Sequence, residues 1–225
     1  MPLLFFVLLA VMFFGTNAKA ADFSGHAGAT LTGAAASILM HESGHALAAK
    51  AVGWQIVAFK PYPTKLKIPL KEGGAKEVWA GGLVHFLPSE PAASPERRGH
   101  QAWVSAMGSV GNSLAVLALA PLLPELGGFG AMALNDAMIM STFDWPAYAL
   151  IDSLVYWKLL KGTPYNDWHQ VSLNTGIATP WYFLAGMGVS FLLNQYHRYW
   201  QNEAAERGAL PTEFRTNIVG AKFLF

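Results

Sequence analysis

The segment Gly28-Ala-Thr-Leu-Thr-Gly-Ala-Ala-Ala-Ser-Ile-Leu-Met40 runs directly into His41-Glu42-Ser43-Gly44-His45-Ala46-Leu47-Ala48-Ala49, and Gly53 closes it. In a helix, residues four apart share a face, with Cβ atoms ~5–6 Å apart. His41 and His45 can therefore both reach one Zn²⁺ at bond lengths of ~2.0–2.1 Å. Glu42, beside them, is a candidate general base for a water attacking at the metal. Seven His and nine Glu in 225 residues would produce this five-residue pattern by chance only about 0.009 times. The apolar flanks leave no water-facing side, so a solvated helix carrying two ordinary histidines suits the segment poorly.

Composition points the same way. Hydrophobic residues make up 53% of the chain and charged residues 13%, against about 25% charged in soluble domains. The mean hydropathy is +0.30. A mostly α, polytopic membrane protein is expected. The net charge of +1 and the lack of a long basic run offer nothing to nucleic acid. With no cysteine, there is neither a disulfide framework nor a thiolate metal site. Any metal must be held by His and carboxylate, a donor set typical of catalytic rather than structural zinc.

Working outward, residues 1–20 read as a signal peptide or an N-terminal anchor. Leu3 to Phe14 are apolar, and Ala18-Lys19-Ala20 resembles a cleavage site, although no Lys or Arg precedes it. Residues 21–200 form the expected core and 201–225 a polar C-terminal tail. The motif segment, 28 to 52, is the first of four core spans, and its many small residues suit close helix packing. Three strand-like runs follow: Gln55 to Phe59, Leu66 to Leu70 and Glu77 to Phe86. The last two are expected to form a hairpin around a turn at 71 to 76. The second span is about Ala102 to Leu123. The third is 131 to 157, broken near Pro146, and the fourth is Trp181 to Leu193, with Tyr196, Tyr199 and Trp200 as interfacial anchors. Lys and Arg concentrate in the loops between spans one and two and between spans three and four, which orients both toward the cytoplasm.

Two histidines leave a catalytic zinc short of one protein ligand. An Asp buried at mid-bilayer costs about 2.5–3.5 kcal/mol and needs a partner, which makes Asp136, Asp144 and Asp152 the candidates. If Lys50 and Lys158 mark a common depth, Asp152 lies level with the histidines and Asp144 about 12 Å further out. Asp152 is therefore the expected third ligand and Asp144 the alternative. Asp136, beside Asn135, reads as a helix-start residue. The blander reading of Asp152 is a buried carboxylate bonded to Ser153 or Tyr156. His26, His85, His100, His169 and His197 have no ligand-spaced partner and read as interfacial or hydrogen-bonded. Asp167, two residues before His169, can pair with it on a loop.

These residues resemble the site-2-protease-like intramembrane zinc metalloproteases. His41-Glu42-Ser43-Gly44-His45, with the small residues and Gly53 after it, is similar to that family's first core helix. Ala106-Met107-Gly108-Ser109-Val110-Gly111-Asn112 resembles its A-G-P-x-x-N signature, with Ser109 in place of Pro and one residue inserted. Asp144-Trp145-Pro146 and Leu150-Ile151-Asp152-Ser153 resemble its N-x-x-P and L-D-G elements, with Asp144 for Asn and Ser153 for Gly. The resemblance spans residues 30 to 160. It implies that Asp152 is the third zinc ligand and that Asn112 holds the substrate backbone or the tetrahedral oxyanion. It also implies that Glu42 moves the protons of a peptide hydrolysis near the cytoplasmic side of the membrane. The expected partners are a membrane-spanning protein substrate and the lipid bilayer, and the expected location is a bacterial inner (plasma) membrane. The diverged second and third motifs motivate an alternative: a non-enzymatic membrane protein, either an inactive relative or a metal-binding or transport subunit.

Overall fold

The computed structural model describes residues 23–69, 75–80, 82–157 and 167–214. The expected N-terminal signal or anchor (1–20), most of the hairpin turn, Lys158, Lys161 and the end of the tail lie outside these residues. The chain is mostly helical. Helix α1 (Phe23–Ala51) is followed by strands β1 (Gln55–Lys60), β2 (Thr64–Pro69), β3 (Ala75–Ala80) and β4 (Leu83–Leu87). Then come α2 (Pro95–Leu119), a 3-10 turn (Ala120–Glu125), α3 (Gly128–Tyr156), α4 (Asp167–Thr175), α5 (Thr179–Glu206) and a last 3-10 turn (Thr212–Phe214).

Local chemistry sets the helix ends. Gly53 adopts φ +78, and the amides of Gly53 and Trp54 return to the carbonyls of Lys50 and Ala49 at 3.0 and 2.8 Å. This glycine cap is the stop expected after the motif helix. At the start of α2, Ser94 Oγ accepts the Arg97 amide at 3.1 Å, and Pro95 occupies the first turn, where its missing N–H costs nothing.

The strands differ partly from expectation. β2 and β3 pair antiparallel, from Thr64↔Ala80 to Pro69↔Ala75. The run 77 to 86 does not remain one strand: it divides after Ala80, and β4 pairs with β1 in a second two-stranded sheet. Trp54 and Phe86 anchor that sheet against Ala48, Ala49 and Val104 at the helix ends.

α3 is continuous across Pro146, contrary to the expected break. Proline has no N–H for the carbonyl four residues earlier, which here belongs to Thr142. Ser190 Oγ, on α5, donates to that carbonyl at 2.5 Å. A neighbouring helix thus satisfies the group that proline leaves open. Asp136 is likewise not at a helix start. It lies within α3, buried, and Thr30 Oγ1 donates to its carboxylate at 2.7 Å. α5 continues through Trp200 to Glu206, burying Gln201, Ala204 and Ala205.

α1 and α3 run parallel in a near-constant register: Thr30 to Asp136, Ser37 to Ser141 and His41 to Asp144, with offsets of 106, 104 and 103 residues. α2 crosses α1 closely at three glycines. A Cβ on Gly44 would collide with the Met107 carbonyl, and one on Gly111 would stand 3.1 Å from the Gly44 Cα.

The apolar core, with Val104, Val116, Leu123 and Met138 fully buried, is interleaved with many buried polar groups, and large apolar side chains lie on the surface. The interior holds Ser37, His41, Glu42, His45, Asn112, Asn135, Asp136, Asp152, His197 and Gln201, while Leu31 (72% exposed), Leu47 (69%), Trp181 (67%) and Leu192 (66%) face outward. Among the described residues one helical stretch, Pro95–Glu125, is long and apolar enough to cross a membrane, with a mean hydropathy of 1.6.

Candidate metal centre

α1 points both motif imidazoles toward α2 and α4. His41 Nε2 and His45 Nε2 are 3.1 Å apart, and each faces Asp167 Oδ2, at 2.9 Å from His41 and 3.2 Å from His45. The three donor atoms form a nearly equilateral triangle of buried or partly buried groups, suited to holding a metal ion. Tetrahedral zinc with bonds of ~2.0–2.1 Å separates its ligand atoms by ~3.3–3.4 Å, so an expansion of a few tenths of an ångström would admit it. Gly108 supports the same conclusion. A Cβ there would stand 2.5 Å from His41 Nε2 and 2.6 Å from His45 Cε1, filling the ground beside the donors. The residues present fit a divalent ion.

The opposite nitrogen of each ring is also held. His45 Nδ1 lies 2.7 Å from the Val104 carbonyl, which fixes the tautomer with the proton on Nδ1 and leaves Nε2 free to coordinate. His41 Nδ1 meets Asp144 Oδ2 at 3.1 Å. Carbonyl and carboxylate acceptors behind histidine ligands are the usual means of orienting them. Asp144, the alternative ligand, therefore touches the far side of His41 and not the metal side. Tyr148, one turn further along α3, stacks on the His41 ring with centroids 5.6 Å apart.

The carboxylate that the structure groups with the two histidines is Asp167, whereas Asp152 was the expected third ligand. Matching Lys50 with Lys158 set the depth wrongly by about one helical turn, because the register offset is 104 residues. By that register Asp152 stands level with Ala48, about 10 Å beyond His41 along the axis. Asp152 is buried on α3 and is not part of the His41–His45–Asp167 group.

Asp167 opens the short helix α4, and two tryptophans seat it. Trp168, fully buried, donates its indole N–H to Ser109 Oγ at 3.3 Å and stacks on Trp145 with centroids 4.5 Å apart. Burial alone would push the Asp167 carboxyl up. The imidazoles of His45 and His41 outweigh that and hold it well below the usual carboxylate range, so it is present as the anion a metal requires. Asp167 pairs with the motif histidines rather than with His169. Partial burial depresses the His169 imidazole.

Glu42 is buried, and its charge acts on both imidazoles. Gly82 lies directly over it, since a Cβ there would come within 2.6 Å of the Glu42 carboxyl carbon. Asn112 is fully buried one turn beyond Gly108, and neither end of its amide has a partner among the described residues.

A second His/carboxylate group, Glu90, Glu96 and His100, is more exposed. The Glu90 carboxylate is already engaged by His100 and by the Trp54 indole N–H, the latter at 2.6 Å. These contacts tie the end of α1 to the start of α2. No family model, curated protein or solved structure matches the chain.

Proposed function

We propose that this chain is a multi-pass membrane zinc hydrolase that cuts peptide bonds of membrane-spanning proteins near the cytoplasmic side. The observation that carries this reading is the triangle of His41 Nε2, His45 Nε2 and Asp167 Oδ2, with edges of 2.9–3.2 Å, beside the buried carboxylate of Glu42. Three protein donors leave a fourth position open, the arrangement of catalytic rather than structural zinc. The polytopic part of the reading is supported by the number of buried polar groups and by the large apolar side chains left outside. It is also supported by Ser190 serving the carbonyl that Pro146 leaves open. The resemblance of the motif helix to the site-2-protease-like family agrees with both.

His41, His45 and Asp167 would hold the ion. Zinc supplies Lewis acidity that activates water and polarises the scissile carbonyl at neutral pH. Glu42 takes the proton of the attacking water and passes it to the leaving amine, a transfer worth about 10²–10⁴-fold in rate. Val104 and Asp144 keep the imidazoles aimed, and Asn112 is positioned one turn from Gly108 to bind substrate backbone or oxyanion. A helical substrate hides its carbonyls and must unwind before attack, and strands β1 to β4 offer edges on which an extended segment can lie.

The test is cleavage in proteoliposomes containing the purified protein, zinc and a panel of single-span proteins. Wild-type protein is expected to cut at least one of them, and Glu42→Gln, still carrying zinc, none. Equal cleavage by Glu42→Gln would refute the enzyme reading. Bound zinc without cleavage by either protein would favour a metal-binding subunit.

A further inference from the structure

Peptide hydrolysis at this site places a negative charge on the former carbonyl oxygen, in surroundings already rich in carboxylate. Glu42, Asp144 and Asp167 all lie around the two imidazoles. Among the described residues, no Lys or Arg forms an ion pair with any of the three. One divalent ion against three carboxylates leaves the site net negative, so a developing oxyanion needs neutral hydrogen-bond donors. Such donors act strongly where water is excluded.

We propose that the phenol of Tyr148 is one of those donors, contacting the tetrahedral oxyanion of the substrate during catalysis, with the Asn112 amide as its complement. Tyr148 follows Asp144 by one helical turn, so both side chains face α1. Its ring is stacked on His41 at 28° and 5.6 Å between centroids, which fixes the ring against a metal-binding residue. That stack, with the one-turn spacing from Asp144, sets the phenol beside the group that could hold the metal. In the step considered, the water oxygen bonds to the carbonyl carbon and the C=O electron pair moves onto oxygen. One water proton goes to Glu42. Tyr148 donates a hydrogen bond to the new oxyanion and keeps its own proton. When the C–N bond breaks, the electron pair returns to re-form C=O and the proton on Glu42 goes to nitrogen.

This inference rests on the hydrolase reading, and Tyr148→Phe tests it because it keeps the stacked ring and removes only the hydroxyl. The measurements are zinc content, KM and kcat on a cleaved peptide, and the affinity of a phosphonamidate peptide that mimics the tetrahedral anion, determined by calorimetry. Tyr148→Phe is expected to keep its zinc and its KM, lose about 10²-fold in kcat and bind the phosphonamidate about 10²-fold more weakly, the scale of a lost oxyanion donor. Wild-type kcat and phosphonamidate affinity in Tyr148→Phe, with Glu42→Gln inactive, would overturn the role of Tyr148 and leave the hydrolase reading standing. Loss of zinc from Tyr148→Phe would reassign the residue to supporting His41 and equally overturn the proposal. Full activity of Glu42→Gln in the same experiment would remove the hydrolase reading itself.

Discussion

Gly108→Ala is the most incisive single substitution available on the scaffold of this site, because it adds one methyl group and no charge. The new Cβ would stand 2.5 Å from His41 Nε2 and 2.6 Å from His45 Cε1, where ordinary contact needs roughly 3.5 Å. About 1 Å of movement must be absorbed. The rings cannot retreat freely, since His45 is held by the Val104 carbonyl at 2.7 Å and His41 by Asp144 at 3.1 Å. The α1–α2 crossing cannot simply widen either, because Gly44 and Gly111 bring the two backbones together there. Overpacking of this kind costs ~1–3 kcal/mol. A 1 Å error in reacting geometry costs ~10²-fold in rate. Loosened ligand orientation costs ~10–100-fold in metal affinity. The assay is zinc competition against a chelator of known affinity, run beside peptide cleavage and thermal unfolding. Gly111→Ala is the matched control: its nearest new contact is the Gly44 Cα at 3.1 Å, so it strains the crossing without touching either imidazole. Gly108→Ala is predicted to lose zinc affinity and cleavage, and Gly111→Ala to lose stability alone. Wild-type zinc affinity in a folded Gly108→Ala protein would refute the geometry argued here.

Three further outcomes are expected. Asp167→Ala weakens zinc binding by ~10²–10³-fold, about a quarter of the ~10–16 kcal/mol that four ligands supply, whereas Asp152→Ala leaves it within a few-fold; chelator competition measures both. Zinc affinity falls as pH drops, approaching a hundredfold per unit once both imidazoles are protonated in the metal-free protein, because two protons must leave for the metal to bind. The depressed Asp167 carboxyl adds nothing to that slope. Its pairing stabilises the metal-free protein above about pH 3.9 and is lost only as pH falls through its lower folded value, which titration followed by unfolding will check. Ser190→Ala strips the Thr142 carbonyl of its donor and destabilises the protein by ~0.6–2 kcal/mol, an effect that shrinks in a Pro146→Ala background, where the helix supplies its own N–H.

The motif helix was legible because its information is local. Two imidazoles four residues apart, small residues for close packing and a glycine stop all lie within one element, and the structure keeps each of them. The hairpin of β2 and β3 was legible for the same reason. What the sequence hid was register between elements. The depth of Asp152 depends on which residue of α3 faces Lys50, and a shift of one turn carries it from the level of His45 to that of Ala48. Asp167 lies between the third and fourth expected spans, outside the apolar segments in which a buried acid demands a partner. A usable signal existed: it is the sole carboxylate between Trp157 and Trp181, and Trp168 beside it offers an anchor. The continuity of α3 through Pro146 was also invisible locally, since Ser190 makes it possible from 44 positions away along the chain, by way of ~0.5 kcal/mol-scale bonds that only packing creates.

The central claim is that His41, His45 and Asp167 hold one catalytic metal ion, and anomalous diffraction from zinc-loaded crystals, recorded on both sides of the zinc absorption edge, tests it most directly. A single anomalous peak within ~2.0–2.2 Å of His41 Nε2, His45 Nε2 and an Asp167 carboxylate oxygen is predicted. A peak coordinated by Asp152 in place of Asp167, or no peak beside the two histidines, would contradict the account.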